Sequence, residues 1–227
     1  MNQTAYEESP FSEARFADNP DPRCACVLVL DRSGSMAGQK IQQLNEGLQQ
    51  FRSELLRDEY AARRVEIAVV PFGPVVKTAT TSLFHPAGNF NPQPMAAGND
   101  TPAGAAVEYA VELVTRQKAL YRSHGITYFR PWVILMTDGS PTDSIARATT
   151  LVHEGEAAKA FSFFAIGVDT ADMATLARLS VRPPLKMRGI AFREFFLWLS
   201  SSLSGVSRSA PGTSIQIQPP SSWTIET

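Results

Sequence analysis

The chain has only two cysteines, Cys24 and Cys26, and they stand two positions apart. On an extended strand that spacing puts both thiols on one face, with Cα atoms roughly 6.5 to 7 Å apart, at or beyond disulfide reach, so they read as buried thiols. No disulfide framework is needed: a chain of 227 residues, 44% of them hydrophobic, is large enough for a single core. No apolar run approaches the roughly 20 residues that span a bilayer, and no basic segment leads into a short apolar one. A membrane partner is therefore not expected, and the expected location is the cytoplasm. The formal net charge of −1 gives no basic face for phosphate neutralisation, which argues against nucleic acid. The local group Arg182, Lys186, Arg188 and Arg193 reads as a solvated loop and helix start.

Several enzyme signatures are also missing. The three histidines, His85, His124 and His153, have no His or Cys at ligand spacing, so zinc is not expected. Ser33-Gly34-Ser35-Met36-Ala37 is not a Gly-x-Ser-x-Gly nucleophile elbow, and Gly34 to Lys40 has the wrong spacing for a phosphate-binding loop. No catalytic residue is assigned.

What is present is alternation. Apolar strand-like runs at Cys24 to Leu30, Val65 to Phe72, Trp132 to Met136 and Phe161 to Val168 are separated by helical patterns. A first helix spans about Ile41 to Tyr60, with Leu44, Leu48, Phe51 and Leu55 on one face. A second starts at Pro102, capped by Asp100 or Thr101, and buries Val107, Val111, Val114 and Leu120. Asp143 or Ser144 caps a third to about Lys159; a short one runs from Asp172 to Leu179; Phe192, Phe195, Phe196, Leu199 and Leu203 mark the last. Val75 to Thr80 reads as a short extended piece, Ser82 to Asp100 as a long irregular loop, and Val181 to Met187 as a loop with a short edge strand. The expected fold is a single three-layer, doubly wound α/β domain with a mostly parallel sheet of about six strands and an antiparallel edge strand. Residues 1–22 are expected to form a polar arm, 23–204 the domain, and 205–227 an extension, with Ile215, Ile217 and Trp223, that packs back on the domain against Trp198.

Three separated segments carry the chemistry. Asp31-Arg32-Ser33-Gly34-Ser35 follows the first strand, placing one carboxylate and two hydroxyls at alternate positions, a loop suited to a hard divalent cation. Thr101 lies in a polar loop before a helix, and Asp138 ends the run from Trp132. All three belong at the carboxyl ends of strands, where ligands of open α/β sheets gather. Each alone fits a helix cap or a turn; their coincidence favours a metal.

The Asp31, Ser33 and Ser35 motif, the later Thr101 and the turn Thr137-Asp138-Gly139 resemble the metal-ion-dependent adhesion site of von Willebrand factor A domains. Arg130-Pro131-Trp132 through Asp143, with Phe195 to Ser200 and Ser209-Ala210-Pro211-Gly212, resembles the bacterial TerY-type, tellurium resistance-associated branch. The resemblance implies that Ser33, Ser35 and Thr101 give hydroxyl oxygens to Mg²⁺, with Mn²⁺ or Ca²⁺ as alternatives, while Asp31 and Asp138 hold its waters or orient the hydroxyls. A free coordination position would take an acidic residue of a protein partner, and the TerY branch implies a protein kinase or phosphatase in a stress response. The chain departs from the family's Gly-Gly-Thr loop with Gly98-Asn99-Asp100-Thr101, where Asp100 either caps the helix or adds negative charge near the cation. The expected function is a non-enzymatic interaction module. The alternatives are a metal-dependent phosphoryl hydrolase using Asp31, and a structural cation site with no open position.

Overall fold

Successive side chains of a strand point to opposite faces, so a strand covered on both faces must be apolar at every position. The first strand, β1 (Cys24–Asp31), is buried along its whole length. Cys24, Cys26, Leu28 and Leu30 pack into one core, whereas Ala25, Val27 and Val29 pack into a second on the other side. The same division runs through β2 (Val65–Phe72), β4 (Trp132–Thr137) and β5 (Ser162–Val168). A computed structural model describes residues 19–73, 83–98, 100–187, 189, 191–213 and the backbone of 224–225. Residues 1–18 of the expected arm, the piece Val75 to Thr80, and Ile215, Ile217 and Trp223 lie outside the described residues.

Among the described residues the sheet has seven strands in the order β3-β2-β1-β4-β5-β6-β7. The five central strands are parallel, including β6 (Leu185–Met187). Two-residue strands close both edges in antiparallel sense: β3 (His85–Pro86) on β2 and β7 (Thr224–Ile225) on β6. Expectation and fold agree on a three-layer, mostly parallel architecture, the difference being a second antiparallel edge. β6, read from the sequence as an edge, is covered by β7.

One face is covered by α1 (Gln39–Arg57), α2 (Glu59–Arg64) and α6 (Phe192–Arg208), the other by α3 (Ala103–Ser123), α4 (Ala146–Ala157) and α5 (Met173–Leu179). α1 buries Leu44, Leu48, Phe51 and Leu55 as its period requires. It ends at Arg57 rather than near Tyr60, because Asp58 turns extended and caps α2 by accepting from the Ala61 N–H at 2.9 Å. The buried face of α3 is rotated from the one expected: Ala103, Ala106, Val107, Ala110 and Val114 are buried, while Val111 and Leu120 are only partly so. Small alanines let this helix lie close to the sheet, which a search for large apolar residues overlooks. α6 continues through Arg208, past residue 204. The thiols of Cys24 and Cys26 are free and fully buried, and burial pushes the Cys24 pKa up to about 12.

The long loop is ordered by a polar stripe on α1. Asn45 both donates to and accepts from the backbone of Met95, Gln49 donates to the Pro92 carbonyl, and Arg52 donates to the Phe90 carbonyl. At the other end of the sheet, buried Glu66 accepts from Gln117 and Tyr121 and faces Arg23 at 3.6 Å.

α1 and α6 meet at Gly47, where an added Cβ would stand 2.5 Å from Phe196 Cδ2. Gly47→Ala should therefore overpack this contact and lower stability by about 1–3 kcal/mol in urea unfolding; unchanged stability would show that Phe196 moves aside freely.

Candidate metal centre

β1 runs on to its neighbour β2 on one side, whereas β4, its neighbour on the other side, runs on to β5, so the connections leave the carboxyl ends of β1 and β4 in opposite directions. That crevice is the ligand position of an open α/β sheet. Asp31 ends β1, and Asp138 directly follows β4. Both are almost wholly buried, at 1% and 0% exposure.

Asp31 is fully engaged. Its Oδ1 accepts from the Ser33 N–H at 2.7 Å and its Oδ2 from Thr137 Oγ1 at 2.5 Å. Burial raises its pKa above the usual carboxylate range and the charge of Asp138 adds to this, against the opposing pull of the bonds from Thr137 and Ser33. Asp138 accepts from Ser35 Oγ at 2.6 Å and, on its other oxygen, from the Lys40 ammonium at 2.6 Å. Lys40 also lies 3.0 Å from Asp169. Burial lowers the Lys40 pKa, but its bonds to Asp138 and Asp169 outweigh this and the net shift is upward.

The proton arrangement of the two serines follows from these contacts. Ser33 Oγ and Ser35 Oγ are 2.9 Å apart, and Ser35 has one proton, which goes to Asp138. Ser33 must then be the donor of the pair. Both protons are directed within the cluster, so neither hydroxyl has one left for a ligand.

Thr101 joins from a third direction. A Cβ on Gly139 would stand 3.8 Å from Ser35 Oγ and 4.0 Å from Thr101 Oγ1, so both hydroxyls border the same small space above that glycine. The threonine is clamped by Thr142, whose Oγ1 accepts from the Thr101 N–H at 3.1 Å and whose N–H donates to the Thr101 carbonyl at 2.9 Å. Asp31, Ser33, Ser35, Thr101 and Asp138 thus form one cluster. Its donors are all oxygen, three hydroxyls and two carboxylates, a set suited to a hard divalent cation. Among the described residues no group of three or more His, Cys, Asp or Glu side chains could hold a metal, so this cluster stands on its hydroxyls.

The helix cap differs from the expected one. Neither Asp100 nor Thr101 caps α3, whose N-cap is Pro102 with no side-chain bond. Asp143 does so from the far loop, accepting from the N–H groups of Gly104 at 3.0 Å and Ala105 at 2.8 Å. It is therefore not the cap of α4, where Ile145 occupies that position. The gain is mechanical: one carboxylate fastens the Asp138 loop to the start of the helix that follows Thr101. Sequence reading named Thr137 only as part of the turn, with no role, and missed Lys40 and Asp169. A lysine in the first helical turn, without an acidic neighbour there, was the available signal for Lys40.

The family model for the von Willebrand factor type A domain matches residues 26–195, and the chain belongs to that family. Comparison with curated protein sequences gives no match. Among solved structures, the pilus adhesin SpaC from Lactobacillus rhamnosus GG is 14% identical with a TM-score of 0.61, covering 81% of this chain and 30% of its own. Proximal thread matrix protein 1 from the mussel byssus is 17% identical with a TM-score of 0.56, covering 82% of this chain and 49% of its own. A second structure of the mussel protein, described as having a zinc-occupied metal-ion-dependent adhesion site, is likewise 17% identical, with a TM-score of 0.54, 82% coverage of this chain and 49% of its own. The chain spans about half the length of the mussel protein and less than a third of the adhesin, and at these identities the likeness is one of fold.

Asp143→Ala should remove the α3 cap and lower stability by about 1 kcal/mol. Because the same carboxylate positions the Thr101 loop, the affinity of the cluster for a divalent cation should fall as well. Urea unfolding and titration calorimetry read the two effects, and a variant matching wild type in both would show that Asp143 braces nothing.

Proposed function

We propose that this chain is a non-enzymatic, Mg²⁺-dependent protein-interaction module that recognises an acidic residue of its partner. The observation that carries the reading is the single cluster of Asp31, Ser33, Ser35, Thr101 and Asp138, in which both serine protons are used inside the cluster. In this reading Ser33, Ser35 and Thr101 supply neutral oxygens to the ion. Asp31 and Asp138 orient the metal-binding loop and hold water around it. When bound, the ion supplies an electrophilic position for a carboxylate oxygen of the partner.

The chain's own residues do the rest. Thr137 and the Ser33 N–H fix the Asp31 carboxylate, and Asp143 and Thr142 fix the threonine loop. Arg32 donates to the Ala96 carbonyl and lines a cleft of about 680 Å³ with Leu48, Val69, Phe90 and Met95, which would supply shape selectivity beside a single charged contact. The TerY-type resemblance supports a bacterial stress-response setting, with a protein kinase or phosphatase as partner. A cytoplasmic location belongs to the same proposal, and the free, buried Cys24 and Cys26 are compatible with a reducing compartment. Among the described residues no helix is long and apolar enough to cross a membrane.

The hydrolase alternative gains no support from the site. Both oxygens of Asp31 accept hydrogen bonds in a buried position, leaving it poorly placed as a nucleophile, and Asp143 is committed to capping α3. The purified protein should hydrolyse neither p-nitrophenyl phosphate nor ATP. Calorimetry should find one Mg²⁺ site in the wild type and none in Asp31→Ala or Asp31→Asn, the latter keeping the side-chain volume. The partner complex should form in Mg²⁺ and dissociate in chelator. Undiminished Mg²⁺ uptake by both variants would overturn the assignment.

A further inference from the structure

Lys40 is the second residue of α1, where a cation opposes the helix dipole, and the first turn of α1 has no acidic residue to compensate. Its ammonium is held from elsewhere in the chain. It donates to buried Asp138 at 2.6 Å and lies 3.0 Å from Asp169, which is about half exposed. Asp169 follows β5 with a φ of 51°, a left-handed conformation uncommon outside glycine but tolerated by Asp and Asn. The turn is fastened where it stands: Thr170 Oγ1 donates to the Asp138 carbonyl at 3.2 Å and the Ala171 N–H donates to the Val168 carbonyl at 3.0 Å. An unfavourable backbone conformation and an unfavourable helix position thus meet in one ion pair beside the cluster, the kind of local strain that collects at functional sites.

We propose that Lys40 is a tethered cation that competes with the divalent ion for Asp138, and that Asp169 is the seat that retains its ammonium when the ion takes over. The pair sets the metal affinity of the centre, and this inference rests on the metal-binding reading above. Without Lys40, the empty centre would hold two buried carboxylates with no cation beside them, a costly state. With Lys40 alone, the charges of Asp31, Asp138 and Lys40 would sum to −1, a poor match for a +2 ion. Asp169 brings the four side chains back to −2. A lysine suits this task, because its ammonium is a point charge with three rotatable donors on a flexible stem. It can release Asp138 while keeping Asp169.

Opposite effects follow for the two partners. Lys40→Met, with Lys40→Gln in parallel, removes the competitor and should tighten Mg²⁺ and Mn²⁺ binding on the order of tenfold. Asp169→Asn keeps the left-handed turn but removes a charge and the alternate seat, and should weaken binding on the order of tenfold. The double variant Lys40→Met/Asp169→Asn restores a net −2 and should return near the wild-type affinity. Apo protein carrying Lys40→Met should melt at a lower temperature than wild-type apo protein and gain more on adding Mg²⁺. The test is titration calorimetry with MgCl₂ and MnCl₂ on the full chain, with melting followed by circular dichroism in chelator and in Mg²⁺. Wild type that takes up neither ion overturns the metal reading and this inference with it. Wild type that binds, with single variants unchanged or shifted in the same direction, overturns this inference alone.

Discussion

Asp31 and Asp138 end up side by side because β1 and β4 are neighbours in the sheet, and almost no water reaches either carboxylate. Taking an ionised carboxylate out of water costs several kcal/mol unless donors or a cation replace the lost solvation. Much of the local structure is that replacement. Thr137 and the Ser33 N–H serve Asp31, Ser35 and Lys40 serve Asp138, and Asp169 in turn pairs with Lys40. Burial, with the Asp138 charge adding to it, holds the Asp31 pKa above the usual carboxylate range although the bonds from Thr137 and Ser33 pull it down, so the donors offset the cost only in part. A divalent cation is the natural remedy for what remains.

Placing such a centre at a strand crevice requires the surrounding loops to be held by something other than a hydrophobic core. The braces here are polar and long-range. Asp143 ties one loop to the start of α3, and Gly104 permits the approach, since a Cβ there would overlap the Ser144 carbonyl oxygen. Asn45, Gln49 and Arg52 pin the backbone of the loop that follows β3. The buried Glu66 group lies at the opposite end of β2, so its contribution to stability is separate from the centre. The residues of the cluster themselves belong to neither hydrophobic core.

How far the sequence carries the structure depends on the range of the interaction. Strands buried on both faces announce themselves as apolar runs, and Asp31, Ser33 and Ser35 are contiguous enough to read as one loop. Thr101 and Asp138 were accessible because their own segments carry turn and cap signals, and the family resemblance joined them. The partnership of Lys40 with Asp138 spans 98 positions and left only the weak mark of a cation in the wrong helical turn. Asp143 looked like a local cap because a capping residue is normally read onto the helix that follows it. The alanine face of α3 was missed because close packing selects for small side chains, whereas periodicity searches weigh large ones. The two-residue edges β3 and β7 are too short for any alternation to register.

The direction of the hydroxyl protons narrows what this cluster can bind. Ser35 gives its proton to Asp138 and Ser33 gives its proton to Ser35, so neither serine has a donor left for a ligand. Asp31 and Asp138, as carboxylates, have none to give. An anion arriving alone, a phosphate group included, would meet two serines without a free proton and two buried carboxylates in place of the row of donors that phosphate-binding loops provide. A cation meets the reverse, several oxygens already oriented, with little reorganisation required. In the proposed function, an acidic group has a favourable place here once a cation has preceded it, so the proposed metal dependence has a physical basis in the hydrogen-bond network of the residues themselves.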